Sequence, residues 1–566
     1  MNTHAPEQEQ RPPQAAEEER QAPQQAGAPG KGTANKEAAP SQATKLVRLA
    51  EESYRLVQGS DGKAYAVDRG GPEIALPLRG RDGLRQRLAR TFYAHTGTAP
   101  GGSALTDAMG VLEGMAAGRP AVEVALRVAS YAPRPDTGSM SGQPGSAGVV
   151  LDLGDPTGRV VVIGPGWWGI EDTSPVLFRR TALTSALPVP AMGHRPRGVA
   201  ALAGFRGLLN VDDAGFSLVV GWLLAALVPD IPHPILALLG EQGTAKSTAA
   251  KFCVRILDPS PAPLRSAPKD VKSWAVTAAA SWTVALDNVS TIPAWFSDTL
   301  CKAVTGDGIV DRSLFTDDDV TVLSFRRVIA LTSIDAGALA GDLAERMIPV
   351  ELERIPPQRR RPDADVETDY RATAPLTLAG LLDLLAEVLA ALPDVHLPQL
   401  PRMADFARLL AALDAVTGWT TLAAYLARAE EANRAVMEAD PLATAVRDLL
   451  DRQAVGWSGT STELLATLND HAPDPRPRNW PKNASVLGGS LRRLAPALRA
   501  SGIEVTEQRT GAGRFLNLRR TPPTDDVNRR GEEAQTPTFP IRPESAVIAV
   551  TADTRRPDLH KHPRDG

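Results

Sequence analysis

The chain has 566 residues, 43% of them hydrophobic, and a formal net charge of −4. That length holds about three domains at roughly 100–200 residues each. The charge balance excludes a protein that grips nucleic acid through a global positive field, so DNA contact must come from local patches. Two cysteines, Cys253 and Cys301, exclude both a disulfide framework and a cysteine-based zinc site.

In chain order, residues 1–44 are rich in Gln, Pro, Ala and Glu and poor in large apolar residues, so they are expected to be a disordered tail, as are residues 521–566. No charged-then-apolar leader opens the sequence. The longest uncharged apolar run, Phe216 to Val228, is too short to span a bilayer and reads as a buried helix. The expectation is a cytoplasmic protein without a membrane partner.

Residues 45–200 predict an α+β domain. Gly59-Ser60-Asp61-Gly62 separates two strand-like runs, as does Gly154-Asp155-Pro156-Thr157-Gly158, and both read as hairpins. Helical spacing occupies Gly83–Tyr93 and Ala104–Ala117. Gly166-Trp167-Trp168-Gly169 offers either a base-stacking platform or a core element, with no basic cluster beside it. No catalytic carboxylate cluster of a primase or polymerase stands out here, so priming would be lost or supplied by another protein.

Residues 201–356 carry the chemistry. The apolar run Pro234–Leu239 leads into Gly240-Glu241-Gln242-Gly243-Thr244-Ala245-Lys246-Ser247-Thr248 and then a helix-like segment. Strand, Gly-rich loop, Lys-Ser and helix is the order a triphosphate-binding loop requires. Backbone N–H groups and the positive helix end cradle phosphates, the lysine neutralises charge, and Ser247 sits on Mg²⁺. Ala245 stands where the usual pattern has glycine; its small Cβ is tolerable once the loop has entered the right-handed region. Trp282–Leu286 is an apolar strand ending in Asp287, placed to hold Mg²⁺ through water at the carboxyl edge of a parallel sheet. Arg327–Ser333 is a further buried strand, whose Thr332 or Ser333 would serve as a polar sensor. Arg346 precedes the strand Met347–Leu352. It stands where a ring-forming ATPase presents an arginine to its neighbour's nucleotide, or else pairs with Asp342 or Glu345.

Residues 357–440 predict a helical lid or bundle with breaks at Pro393, Pro398 and Pro401. Residues 441–520 predict three helices and a hairpin, a winged helix, with a capping box at Thr460–Glu463. Its third helix carries Arg492, Arg493 and Arg499, with no acid from Pro481 to Ile503. Such a face would neutralise DNA phosphates, or else serve protein contact.

The phosphate loop resembles that of minichromosome maintenance helicases. The order of the four elements resembles AAA+ and superfamily 3 helicases, above all the helicase half of phage and plasmid primase-helicases. The resemblance covers roughly 200–355 plus the C-terminal winged helix. It implies an α/β fold with a P-loop AAA+-like ATPase core, ATP and Mg²⁺ as cofactors, single-stranded or forked DNA as partner, and a homo-oligomeric ring. It also implies a DNA-tracking hairpin between Asp287 and Thr332, where Lys302 and Arg312 would face DNA. Two departures matter: the second acid that polarises the attacking water is replaced by Asn288, which cannot accept a proton, and the sensor position, usually Asn in those families, is Thr332 or Ser333. Hydrolysis would then be slow or would use another carboxylate such as Asp298 or Asp307. The expected function is an ATP-dependent DNA helicase or translocase of mobile-element replication. The alternative is a non-motor, ATP-switched DNA-binding protein for initiation, partition or regulation. A small-molecule kinase needs neither the winged helix nor Arg346.

Overall fold

The computed structural model describes residues 40–80, 83–132, 148–312, 320–334, 341–453, 455–470, 480–510 and 513–521. The expected tails, apart from a few residues, lie outside the described residues.

The amino-terminal unit starts with α1 (Gln42–Ser53), whose N-cap hydroxyl, Ser41, accepts from the Thr44 N–H. β1 (Tyr54–Gly59) and β2 (Ala64–Asp68) form the expected hairpin. β3 (Ala75–Pro77), α2 (Leu84–Thr96), α3 (Gly102–Ala117) and β4 (Ala121–Val122) complete a sheet of order β3-β2-β1-β4. Helices and sheet share a core of Leu46, Leu56, Leu84, Phe92 and Leu112.

Next, β5 (Val124–Ala125) pairs in parallel with β10 (Leu177–Phe178). Between them β6 (Val128–Tyr131), β7 (Gly148–Asp152), β8 (Val160–Gly164) and β9 (Trp167–Glu171) run as an antiparallel meander. The second hairpin is thus present. Trp168 is not a platform for bases: its indole N–H donates to Asp383 at 2.9 Å, and Arg195 lies over the ring. Arg127 ties the meander to the next layer through a buried pair with Asp258 at 2.9 Å, and Asp258 also accepts from the Trp282 and Thr283 N–H groups. One hydrophobic cluster, including Leu151, Ile163, Phe205, Leu236, Leu378 and Leu410, runs across the boundary expected near residue 200.

The central layer contains α4 (Ala203–Arg206), α5 (Asp213–Ala226), β11 (Ile235–Leu239), α6 (Lys246–Arg255), β12 (Leu264–Arg265), α7 (Val271–Ala280) and β13 (Thr283–Leu286). It continues with α8 (Ala294–Thr305), β14 (Gly308–Arg312), β15 (Val320–Ser324), β16 (Val328–Ser333), α9 (Gly341–Ala344) and β17 (Met347–Glu351). β12-β13-β16-β11-β17 form an all-parallel sheet. Its central strands are continuous apolar runs because helices cover both faces. Pro349 is accommodated because β17 is an edge strand. β14 and β15 make a separate antiparallel hairpin.

α10 (Asp363–Ala391), α11 (Ala404–Thr417) and α12 (Thr421–Ala439) follow. α10 with its following turn is longer than the sequence pattern suggests, and long and apolar enough to cross a membrane by length and composition alone. Here it is a core helix. Its buried Asp383 accepts from Arg195 at 2.7 and 2.9 Å, from Trp168 and from the Gly198 N–H.

The carboxyl-terminal unit comprises α13 (Pro441–Arg452), β18 (Trp457–Thr460), α14 (Ser461–Asn469), α15 (Ala484–Ala500), β19 (Ile503–Thr510) and β20 (Gly513–Arg520), with strand order β18-β20-β19. Thr460 and Glu463 close the capping box reciprocally. β18 was hidden in the sequence because it is short and contains Gly459. α15 stays helical through Gly488, Gly489 and Pro496 and packs against α12 and α9.

Candidate functional site

At the carboxyl end of β11 the chain turns through Gly240 at φ +142°, where a Cβ would lie 2.6 Å from the Leu352 carbonyl oxygen. Glycine is therefore required at that position. Gly243 follows at φ +82°. Ala245 corrects the sequence reading: it caps α6 in the left-handed region, at φ 64° and ψ 28°, not in the right-handed one. The L-residue costs about 1–2 kcal/mol there, so the loop holds strain where its amides turn into the helix.

Lys246 opens α6 and is only 9% exposed. Its Nζ donates to the carbonyls of Gly240 at 2.5 Å and Glu241 at 2.6 Å, inside the loop's own curl. Burial pulls its pKa below the ordinary lysine value, and the Asp287 carboxylate opposes that shift. Thr244 is buried, and its hydroxyl donates to the Glu241 carbonyl. Thr248 is half-buried in the first turn of α6.

Three residues far apart in sequence converge next to the loop. Ser247 Oγ donates to Asp287 Oδ1 at 2.8 Å, and Thr332 Oγ1 donates to the same oxygen at 2.6 Å. Asp287 follows β13 and Thr332 lies near the end of β16, so parallel pairing of these strands brings both to one edge. Thr332 is fully buried and its Oγ1 also accepts from the Asn288 N–H. Ser333 turns away to donate to the Val289 carbonyl. Of the two sensor candidates, Thr332 is the one bonded to Asp287. A hydroxyl and a carboxylate 2.8 Å apart form the hard-oxygen set that suits Mg²⁺. Among the described residues no group of three or more His, Cys, Asp or Glu stands ready to hold a metal ion.

Asn288 is exposed, with φ +55°. Asparagine tolerates that conformation better than most residues. The two proposed substitutes for the missing acid fare differently. Asp298 is exposed on α8, without a bond to Ser247, Asp287 or Thr332. Asp307 must be corrected. It lies after the end of α8, where its N–H donates to the Lys302 carbonyl. The neighbouring Arg326 leads into β16 and bonds the Thr305 carbonyl. That is the amino edge of the sheet, so Asp307 cannot serve the loop of its own chain.

Arg346 is also at the amino edge. Its carbonyl accepts from the Ile235 N–H where β11 begins, and its guanidinium reaches Cys301 Sγ at 3.4 Å. Five residues of strand, roughly 15 Å, separate that end from the loop. Glu345, one of its expected partners, pairs with Arg402.

Sequence reasoning missed a strap laid over the loop. After β17 the Ile355 N–H donates to the Gly243 carbonyl at 3.3 Å, and Asn210 donates to the carbonyls of Thr244 and Glu353. A Cβ on Gly243 would be 3.8 Å from an Arg360 guanidinium nitrogen. A cavity of about 360 Å³ opens beside the loop, lined by Gly240, Glu241, Thr244, Glu351 and Arg354. The run Arg359-Arg360-Arg361 was a visible signal, but nothing local links it to the loop.

Of the residues expected to meet DNA, Lys302 is exposed in the last turn of α8. Arg312 ends β14 opposite Val320, and the acidic run Asp317-Asp318-Asp319 that follows in the sequence lies outside the described residues. Arg492, Arg493 and Arg499 are exposed on α15. An acid does approach that face: Glu507 of β19 lies 3.4 Å from Arg492.

Residues 205–434 match the family of actinomycete integrative conjugative element replication proteins (AICE RepA), and residues 442–535 match the C-terminal domain of AICE RepA. No curated protein matches the chain. Among solved structures, the apo C-terminal region of NrS-1 is 11% identical, with 86% of this chain and 100% of that chain covered at a TM-score of 0.34. JCV helicase is 12% identical, with 41% of this chain and 72% of that chain covered at a TM-score of 0.17. Likeness this loose says nothing about activity.

Proposed function

Because the chain is a replication-associated protein of the integrative conjugative element kind, we propose that it is an ATP-driven, ring-forming DNA motor with a P-loop core of the AAA+ and superfamily 3 type. The observation that carries this reading is the convergence of Lys246, Ser247, Asp287 and Thr332 at the carboxyl edge of a parallel sheet, where ligands of such sheets gather. The strand order supports it, as does the helix–strand–helix–helix–hairpin order of a C-terminal winged helix. ATP with Mg²⁺ supplies the phosphoanhydride whose hydrolysis drives motion. On the protein's side, Lys246 exchanges its loop carbonyls for phosphate oxygens, Ser247 and Asp287 offer hard oxygen donors, and Thr332 fixes the carboxylate. Arg360 stands within reach of phosphate from the strap. Arg346, at the far edge, acts on a neighbour's nucleotide. Lys302, Arg312 and the α15 arginines take the DNA, single-stranded or forked, and a separate protein primes synthesis.

One observation favours a second reading, a non-motor switch that binds DNA according to nucleotide state: Asn288 occupies the position of the water-polarising acid. Steady-state phosphate release tests hydrolysis. Lys246→Ala is expected to abolish it, and a rate unchanged by that substitution would sink the claim. Strand displacement separates the two readings. Unwinding that needs ATP supports the motor, whereas nucleotide-dependent binding without unwinding supports the switch.

A further inference from the structure

α2 of the amino-terminal unit has an unusual surface. It buries Leu84, Leu88 and Phe92. On the opposite face, Gln86, Arg90 and Tyr93 follow one another at i, i+4 and i+7 and form a single line, with Arg87 to one side and Arg85 to the other. All five are exposed, and Tyr93 is 58% exposed. No Asp or Glu occurs from Gly83 to Thr106. Glu113 of α3, an acid of the same unit, is taken by Arg79. Among the described residues, no carboxylate pairs with Arg85, Arg87 or Arg90. In a chain of net charge −4, this is an acid-free basic stripe with an aromatic ring at its carboxyl-terminal end.

We infer that this face of α2 binds single-stranded DNA, with Arg87 and Arg90 on successive phosphates and Tyr93 stacked on an unpaired base. The two arginines stand three residues, about 4.5 Å, apart along the axis, and Tyr93 follows Arg90 by three more. Guanidinium groups neutralise the backbone while an exposed ring takes a base face of any identity. A duplex offers the same phosphates but no free base face, so the ring selects the single strand. An acidic protein surface would meet the arginines but would leave Tyr93 without a role. The inference rests on the reading that the chain acts on DNA. It is independent of whether ATP is hydrolysed.

The test uses the full chain without nucleotide, in an Arg492→Ala/Arg493→Ala background that weakens the C-terminal unit. Binding of a short labelled single strand of mixed sequence is followed by fluorescence anisotropy over a salt series. Arg87→Gln/Arg90→Gln is expected to reduce the log–log salt slope by about 1.4, at roughly 0.7 per phosphate contact. Tyr93→Ala is expected to weaken single-strand binding about tenfold, within the range for loss of one stacked base. Tyr93→Phe should retain binding, and Tyr93→Ala should leave duplex binding unchanged. Photocrosslinking with 5-iododeoxyuridine in the strand should label the peptide containing Tyr93. Loss of all single-strand binding in the background protein, affinities and slopes that coincide across the variants, or crosslinks confined to the C-terminal unit would each overturn the inference. Phosphate release by Lys246→Ala fails or succeeds separately, so the two readings are told apart.

Discussion

Ala245 and Asn288 are the two non-glycine residues with positive φ among the described residues, and each ends one wall of the candidate site. Strain of this kind collects where a backbone must aim its groups. At Ala245 the left-handed turn directs the amides that open α6. Ala245→Gly removes the Cβ cost of about 1–2 kcal/mol but adds about 0.4–1 kcal/mol of unfolded-chain entropy. Stability by chemical denaturation should therefore stay level or rise by up to about 1.6 kcal/mol, the reverse of an alanine-to-glycine change inside a helix. At Asn288 the same conformation brings its N–H to Thr332. Aspartate also enters this region readily, so Asn288→Asp keeps the turn while restoring a proton acceptor. If the missing acid limits hydrolysis, phosphate release should increase about a hundredfold or more, on the scale of general-base catalysis. An unchanged rate would show that the acid comes from elsewhere, such as a neighbouring subunit.

Among the elements, α6 matters most, because it begins at the loop and is fastened at its other end. Glu367 of α10 accepts from Arg255 at 2.7 and 2.9 Å, from Lys251 at 3.2 Å and from Arg371 at 3.0 Å. Phe252 stacks on Tyr370 at 4.5 Å. The hydrogen bonds from Arg255 are the main reason that the Glu367 pKa falls to about 2. A depressed carboxylate stabilises the fold above its unfolded pKa of 4.5, and that contribution is lost as pH falls towards 2. Glu367→Gln should thus cost about 1–2 kcal/mol at neutral pH, discounted because the cluster is partly exposed. The gap between variant and parent in denaturation midpoints should narrow below pH 4.5. A gap that is flat across acid pH would mean the cluster is held by packing, as by the Phe252–Tyr370 stack. The sequence showed α6 itself through strand, glycines, lysine and helix, all contiguous. It did not show the fastening, because Arg255 and Glu367 are far apart in the chain and only the fold joins them. Asn210 and Arg360 were illegible for the same reason, and so was the placement of Asp307, since α8 runs back along the sheet to its other edge.

For the molecule as a whole, the sheet has two ends with different chemistry. The loop, Asp287 and Thr332 crowd the carboxyl edge, while Arg346 stands at the amino edge beside α9, against which α15 packs. On the ring reading proposed above, a guanidinium roughly 15 Å from its own loop would serve phosphate on another copy through a head-to-tail contact. That geometry makes a prediction which neither edge makes alone. Lys246→Ala and Arg346→Ala should each abolish phosphate release when assayed separately. Mixed in equal amounts, they should regain it. Wherever an Arg346→Ala subunit, with its loop intact, meets a Lys246→Ala subunit, with its arginine intact, one complete site forms. Random head-to-tail mixing makes about a quarter of the interfaces complete, which sets the activity expected relative to the parent. If Arg346 served its own loop, every subunit in the mixture would remain defective and no activity would return. If it served only to fix Cys301 and the edge of the sheet, Arg346→Ala would retain phosphate release alone and lose thermal stability instead. Release measured against mixing ratio, with size determined alongside, distinguishes these arrangements.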